Sequence, residues 1–192
     1  MVRWPSPPLV DSLIEKKVSR NCLYKGHSVS FFKDVVLLPN GRQAVRDYMG
    51  HPGAVTVVPF LDRDRILMLR QYRYPVKKII REIPAGKIDK GENPLVCARR
   101  ELLEETGYWP RKIKRIISFW PTPAFADEIM HVYMAWDLIY KKAHTDPDEF
   151  LEPFPVRFSS ALRWIKTGRI RDAKSIIALL AIEAFGWRSY VR

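Results

Sequence analysis

The segment from Pro94 to Thr106 carries the strongest structural signal in the chain, because the sequence marks both ends of a helix there. Asn93 is a favourable N-cap residue, and proline suits the first helical position that follows it. Gly107 is a typical C-terminal stop. The sequence therefore predicts a helix over Pro94–Thr106, and any fold of this chain must accommodate it.

The predicted helix has an apolar stripe and an acidic face. Leu95, Ala98 and Leu102 recur at i, i+3 and i+7, a spacing that predicts burial against a core. Three carboxylates at i, i+3 and i+4 share another face and are expected to converge: Glu101, Glu104 and Glu105. Arg100 is placed to pair with Glu104 at i, i+4 and to orient it.

The acidic face is unfavourable for an isolated helix. Neighbouring like charges repel, and the helix dipole disfavours a carboxylate in the last turn by roughly 0.3–1 kcal/mol. Clustered carboxylate oxygens are, however, the ligands that Mg²⁺ and Mn²⁺ prefer. Spacing alone leaves two interpretations open, a divalent-metal site and a solvated acidic surface.

Length and composition indicate a globular protein. The 192 residues, 47% of them hydrophobic, suit one domain with or without a small appendage. No apolar run approaches the roughly 20 residues that cross a bilayer, and the first six residues lack the apolar stretch of a secretory signal. We therefore expect a soluble, cytoplasmic protein.

Cys22 and Cys97 indicate neither a disulfide framework nor a zinc site, and we expect both to be buried thiols.

The chain is strongly basic, with a formal net charge of +12. Such a surface attracts nucleotides, sugar phosphates, nucleic acid or acidic membranes. The basic residues are scattered along the chain instead of forming a tail, so an ordinary solvated surface is the alternative.

Turn signals divide the rest of the chain into strands and helices. Alternating residues around 29–38 followed by Asn40-Gly41 predict a hairpin, and a domain boundary is expected near residue 50. Further strands are predicted at 54–60, 65–72, 79–83, 113–119 and 131–138, and helices at about 160–167 and 172–185. The acidic stretch 146–152 is expected to be a connection. These elements favour an α/β sandwich over a mixed sheet.

The last predicted helix also has an expected core face. Its apolar residues follow helical spacing at Ile176, Ile177, Leu180, Ala181 and Ala184.

The acidic helix and the loop before it match a known pattern. From Gly86 through Glu92 to the run Arg100–Tyr108, the segment resembles the Nudix box, G-x5-E-x7-R-E-U-x-E-E-x-G-U, where U is a bulky apolar residue. Every fixed position is present, with Tyr108 as a common variant at the last one. The resemblance implies metal-dependent hydrolysis of a nucleoside diphosphate linked to another group.

Segments outside the box resemble the ADP-ribose pyrophosphatase branch of that family. Pro123 lies 16 residues beyond Gly107 (123 − 107), where the branch typically has a proline, although Ala124 stands where glycine is usual. The other matching segments are 51–55, 71–73, 82–86 and 121–128. The implied fold is a Nudix α/β/α sandwich over a mixed sheet at 51–192, preceded by an N-terminal antiparallel β subdomain at 1–50.

The resemblance assigns roles to individual residues. Glu101 and Glu105 would be the principal Mg²⁺ ligands, with Glu104 supporting a further ion and the Ala85 carbonyl completing the coordination; Mn²⁺ is an alternative metal. Glu128 matches the position proposed to activate water, and a solvent-facing loop carboxylate is the alternative for it. Gly86, Glu92 and Gly107 would be structural.

Substrate contacts and assembly follow from the same resemblance. Arg46, Arg73 and Glu82 match substrate-binding positions, although both arginines also suit an ordinary surface and Glu82 also suits a role in holding the loop. The candidates for stacking on an adenine are Tyr24, Phe31 and Phe32, with core packing as the alternative for each. Relatives in this branch form homodimers through a swapped N-terminal sheet, so we expect the same here.

Three functions are then in competition. The first is hydrolysis of ADP-ribose to AMP and ribose 5-phosphate. The second is the same chemistry on another nucleotide sugar or on RNA 5′ ends, for which the box is unchanged. The third is a non-catalytic ADP-ribose-sensing module, but such modules commonly lose box carboxylates and this chain retains them. We expect a small-molecule substrate, with no membrane partner and no nucleic-acid partner.

Overall fold

The computed structural model describes residues 13–142 and 149–191, which form two compact units. The first comprises the described residues up to His51 together with Thr122–Asp127, and the second comprises the remainder from Pro52 onward. In chain order the elements are β1 (Lys16–Lys25), β2 (Ser30–Leu37), β3 (Gln43–Gly50), β4 (Ala54–Pro59), β5 (Arg65–Arg73), β6 (Lys78–Glu82), β7 (Ala85–Lys87), α1 (Pro94–Thr106), β8 (Tyr108–Phe119), β9 (Met130–Tyr140), β10 (Leu151–Arg157), α2 (Phe158–Lys166) and α3 (Ala173–Ala184).

The first unit is built on an antiparallel sheet in the order β1-β2-β3. The predicted hairpin joins β2 to β3, with Gly41 at a positive φ of 80° and the Asn40 side chain accepting a hydrogen bond from the Arg42 N–H at 3.1 Å. Within the sheet, Asp34 is buried and paired with Arg20 at 3.0 Å, and this pairing lowers the pKa of Asp34. An ion pair between Arg20 and Asp34 therefore links β1 to β2.

The second unit contains two sheets. One has four strands in the order β7-β4-β9-β8, and β4 and β9 run parallel while the other pairs are antiparallel. The other has three antiparallel strands in the order β10-β5-β6. The α/β fold with a mixed sheet and an N-terminal antiparallel sheet, as predicted, is confirmed.

Successive side chains of β4 and β9 point to opposite faces of the four-stranded sheet, and both faces are buried. Val55 and Val57 pack with α1 residues on one face, together with Tyr133 and Ala135 of β9. Val58, on the opposite face, belongs to the larger core, which is shared with β5, β10, α2 and α3. The sheet therefore holds α1 on one side and the remaining helices on the other. None of the three helices, all within the part of the chain that the structure describes, has the length and apolar character needed to span a membrane.

Three details differ from the sequence predictions. Residues 151–157, partly assigned to a connection, form β10, while 143–148 of that predicted connection lie outside the described residues. The core face of α3 is shifted from the predicted one, because Leu180 and Ala184 are exposed whereas its buried residues are Ser175, Ala178, Leu179, Ala181 and Ile182. Cys22 is exposed, and only Cys97 is the buried thiol that was expected.

Candidate metal and substrate site

Helix α1 forms over the residues that the sequence predicted. The Asn93 side chain accepts a hydrogen bond from the Leu95 N–H at 2.9 Å, and Gly107 closes the helix in the left-handed region with φ 76°. Ala98 and Leu102 are fully buried against the four-stranded sheet. Burial of this stripe fixes the rotation of the helix, and with it the direction of the acidic face.

Gly86 in β7 lies directly against the carboxylate of Glu101. A Cβ atom built on Gly86 would stand 1.8 Å from the carboxyl carbon of Glu101 and 2.0 and 2.2 Å from its two oxygens. Real atoms do not approach so closely, so only glycine leaves Glu101 its place. Burial raises the pKa of Glu101 to about 7.

Glu105 is buried beside the same strand. Its side chain accepts a hydrogen bond from the Ala85 N–H at 3.0 Å, and the residue is only 3% exposed. Burial, reinforced by the charge of Glu101, raises the pKa of Glu105 well above its ordinary value. Two carboxyl groups are thus held in an environment that disfavours their negative charge.

Arg100 organises the remaining carboxylates. Its guanidinium donates to both oxygens of Glu92, at 3.0 and 2.9 Å, and this pairing lowers the pKa of Glu92 to about 2. The Nη1 atom also donates to Glu101 at 2.8 Å and to Glu104 at 2.9 Å. The i, i+4 pair expected from the sequence is therefore present. The structural role assigned to Glu92 stays a prediction.

The donor set fits a divalent cation. Glu92, Glu101 and Glu104 bond to Arg100, while Glu105 on the same helix bonds to Ala85. These carboxyl groups offer more oxygen donors than one arginine uses, and hard oxygen donors are what Mg²⁺ and Mn²⁺ bind. Among the described residues no three His, Cys, Asp or Glu side chains already enclose a common point. The carboxylates of α1 do not converge as expected, because Glu101 and Glu104 bond to Arg100 whereas Glu105 bonds to Ala85. Metal binding would exchange some of these contacts for contacts to the ion.

We expect the substitution Gly86→Ala to lower the affinity for Mg²⁺ by about tenfold, at the lower end of what disturbing the support of a metal ligand costs. The added methyl group occupies the space of the Glu101 carboxylate and displaces it. Titration calorimetry with Mg²⁺ measures the effect, and circular dichroism checks that the fold is retained. Unchanged affinity would show that Glu101 is not a ligand.

Two of the three residues predicted to contact substrate, Arg73 and Glu82, belong to a second charged group. Arg73 donates to the Glu82 carboxylate through Nε at 2.9 Å and Nη2 at 3.0 Å. Lys174 also bonds to Glu82 and lies 3.0 Å from Asp172. Sequence reasoning did not find Lys174 or Asp172, since no local pattern connects them with a glutamate about 90 residues earlier in the chain.

The other predicted site residues lie apart from these two groups in the sequence. Arg46, in the first unit, is half-exposed and bonds to Glu15. Glu128 lies just before β9 and is partly buried. Of the three aromatic candidates, Phe32 packs against Tyr48 at a ring distance of 5.5 Å, whereas Tyr24 and Phe31 are exposed. The roles assigned to these residues stay predictions.

Comparison with known proteins identifies the family. The model of the NUDIX domain matches residues 50–178, which include the box and both charged groups. The chain belongs to the Nudix family. It is a Nudix hydrolase, and members of this family generally use divalent metal ions.

Individual relatives of this Nudix chain are similar over most of their length. An ADP-ribose pyrophosphatase of Bacillus subtilis (strain 168) is 41% identical over 170 residues, covering 88% of this chain and 92% of the relative. A methanol dehydrogenase activator of Bacillus methanolicus is 44% identical over 167 residues, covering 86% and 90%. A crystal structure described as an ADP compounds hydrolase matches with a TM-score of 0.80 at 21% identity, over 91% of this chain and 95% of that one, and it supports the fold.

Proposed function

We propose that this Nudix hydrolase cleaves ADP-ribose to AMP and ribose 5-phosphate with Mg²⁺, or with Mn²⁺ in its place. The observation that carries the proposal is that two carboxylates of α1, Glu101 and Glu105, lie against Gly86 and Ala85 of β7, in the unit that also contains Arg73. The resemblance to the ADP-ribose pyrophosphatase of Bacillus subtilis supports this choice of substrate.

Each residue then has a chemical task. Glu101, Glu104 and Glu105, with the Ala85 carbonyl, would hold Mg²⁺, which when bound neutralises phosphate charge and makes a bound water more acidic. Glu128 would accept the proton of the water that attacks one phosphorus. The bridging P–O bond would then break, and the bridging oxygen would leave on the other phosphate, giving AMP and ribose 5-phosphate. Arg73 and Arg46 would bind the substrate anion through charge-assisted hydrogen bonds.

A panel of substrates tests the proposal. The protein is incubated with Mg²⁺ and each of ADP-ribose, other nucleoside diphosphate sugars and triphosphorylated RNA, and products are identified by chromatography. We expect AMP and ribose 5-phosphate from ADP-ribose at the highest kcat/KM. A higher kcat/KM for another compound would contradict ADP-ribose as the preferred substrate. Tight binding of ADP-ribose without turnover would support the sensing module, against which the retained box carboxylates argue.

A second candidate function comes from the relative named methanol dehydrogenase activator, which is 44% identical to this chain. In that case the protein would raise the rate of a methanol dehydrogenase. A dehydrogenase assay with and without added protein measures this directly. A rate that does not change on addition argues against this candidate.

The proposed assembly is a homodimer in which the first unit lends residues to the partner's site. Apolar side chains are exposed on its three-stranded sheet, including Val18, Leu23 and Val45, and exposed apolar patches commonly mark protein contacts.

We expect the double substitution Leu23→Lys and Val45→Lys to convert the dimer to a monomer, because the new charges oppose burial of the sheet. Light scattering measures the mass, and the double substitution Lys16→Ala and Lys17→Ala on β1 serves as a control. A monomeric wild-type protein, or a variant that is still dimeric, would contradict the proposed interface.

A further inference from the structure

Glu82 is only 1% exposed, and two cationic side chains pair with its carboxylate. Arg73 grips both of its oxygens, at 2.9 and 3.0 Å, and Lys174 bonds to one of them. A buried carboxylate requires such partners, because an unpaired charge inside a protein is strongly unfavourable. The orientation of the Arg73 fork is therefore set by a carboxylate that Lys174 also holds.

Lys174 is itself firmly placed. Its side chain is 12% exposed and its Nζ lies 3.0 Å from Asp172. Asp172 caps helix α3, because its carboxylate accepts from the N–H of Ser175 at 3.0 Å and from the hydroxyl at 2.6 Å. The Ser175 hydroxyl oxygen in turn accepts the Ile83 N–H at 2.9 Å. The first turn of α3 thus holds two consecutive residues, Glu82 and Ile83, just before Ala85 and Gly86.

Arg73 and Lys174 differ in what they can still bind. Lys174 is largely enclosed and bonds to two carboxylates, those of Glu82 and Asp172. Arg73 is 41% exposed and uses two of its five N–H donors on Glu82. Both side chains line a cavity of about 650 Å³, together with Val76, Ile80 and other residues. An anion in this cavity would therefore find available donors on Arg73.

We propose that Lys174 is a positioning residue that acts on substrate binding through Glu82 and Arg73. Lys174 offsets part of the negative charge of Glu82. The Glu82 carboxylate then orients the Arg73 guanidinium through two hydrogen bonds and leaves its other N–H donors available. The ion pair between Lys174 and Asp172 holds Lys174 in place. The proposal rests on the proposed substrate role of Arg73. It predicts that loss of Lys174 lets Glu82 draw Arg73 away from the substrate.

Steady-state kinetics of matched variants tests this. Lys174→Met keeps the length of the side chain and removes its charge, and we expect KM to rise about tenfold while kcat changes less than about twofold, the signature of lost uniform binding. Lys174→Arg should return KM to within about threefold of wild type, because it restores a cation beside Glu82. The control Lys78→Met removes a charge from the wall of the same cavity.

The double variant Arg73→Ala with Lys174→Met decides how Lys174 acts. If it acts through Arg73, KM of the double variant equals that of Arg73→Ala alone, because coupled residues are not additive. Additive effects would overturn the proposal, since Lys174 would then bind substrate itself. So would an unchanged KM with a lowered melting temperature, or an equal effect of Lys78→Met.

The same experiment keeps the two proposals separate. Turnover of ADP-ribose by the wild-type protein tests the proposed function alone. The variants are compared on whichever nucleoside diphosphate compound the wild-type protein hydrolyses, so the pattern among them tests Lys174 even if ADP-ribose is not the substrate.

Discussion

Glu105→Gln is expected to reduce turnover at saturating Mg²⁺ by about a hundredfold or more. Charge stabilisation by a catalytic metal contributes several kcal/mol, and each ~1.4 kcal/mol is a factor of ten in rate. A neutral amide is a poor ligand for Mg²⁺. Single-turnover and steady-state rates with ADP-ribose measure the loss. Near-normal turnover would exclude Glu105 as a metal ligand.

The same variant should fold at least as stably as the wild-type protein when metal is removed. Its amide oxygen can still accept the Ala85 N–H, and the substitution removes a buried group whose charged form is disfavoured, as the raised pKa of Glu105 indicates. Thermal melting in EDTA measures this. A marked drop in melting temperature would indicate a structural role instead. Glu183→Gln, at a half-exposed position of α3, is the control and should change neither rate nor stability.

Arg73→Ala is expected to lower kcat/KM for ADP-ribose about ten- to hundredfold, because a charge-assisted hydrogen bond contributes roughly 1.5–3 kcal/mol. Arg73→Lys should recover only part of the loss, since lysine lacks the planar fork. A rise in KM alone would indicate uniform binding, whereas a lower kcat would place Arg73 on the reacting phosphates. Arg65→Ala, which removes an exposed arginine paired with Asp62, is the control.

Triphosphorylated RNA provides the contrasting case for Arg73. A polyanion held by a broad basic surface shows a steep salt dependence that one substitution reduces only slightly. We therefore compare kcat/KM for RNA and ADP-ribose at two salt concentrations, in the wild-type protein and in Arg73→Ala. RNA hydrolysed faster than ADP-ribose, with Arg73→Ala unchanged on ADP-ribose, would contradict the proposed substrate.

Helix α1 was predictable to its terminal residues because its signals are local. The cap at Asn93 and the left-handed stop at Gly107 act within a few residues of the helix they limit. Strand β10 was harder to predict from the sequence, since Pro153 and Pro155 argue against a strand. The structure tolerates both because β10 lies at the edge of its sheet, where alternate N–H groups face away from β5.

The core face of α3 shows a second limit of sequence patterns. Apolar periodicity placed Leu180 on the core, but the buried face includes Ser175. A serine is buried there because its hydroxyl oxygen accepts the N–H of Ile83, which follows β6 and is distant in the chain. Such a partner is invisible to a pattern that ranks residues by hydrophobicity alone.

The sequence by itself determined the family and the limits of α1, and it supplied the proposed metal ligands of that helix, because all of these reside in one short segment with fixed spacing. Only the tertiary structure decided which carboxylates are buried, why Gly86 must be glycine beside Glu101, and that Lys174 shares Glu82 with Arg73. The physical reason is that burial and ion pairing depend on strands and helices distant in the chain, whose approach is set by packing of the whole core.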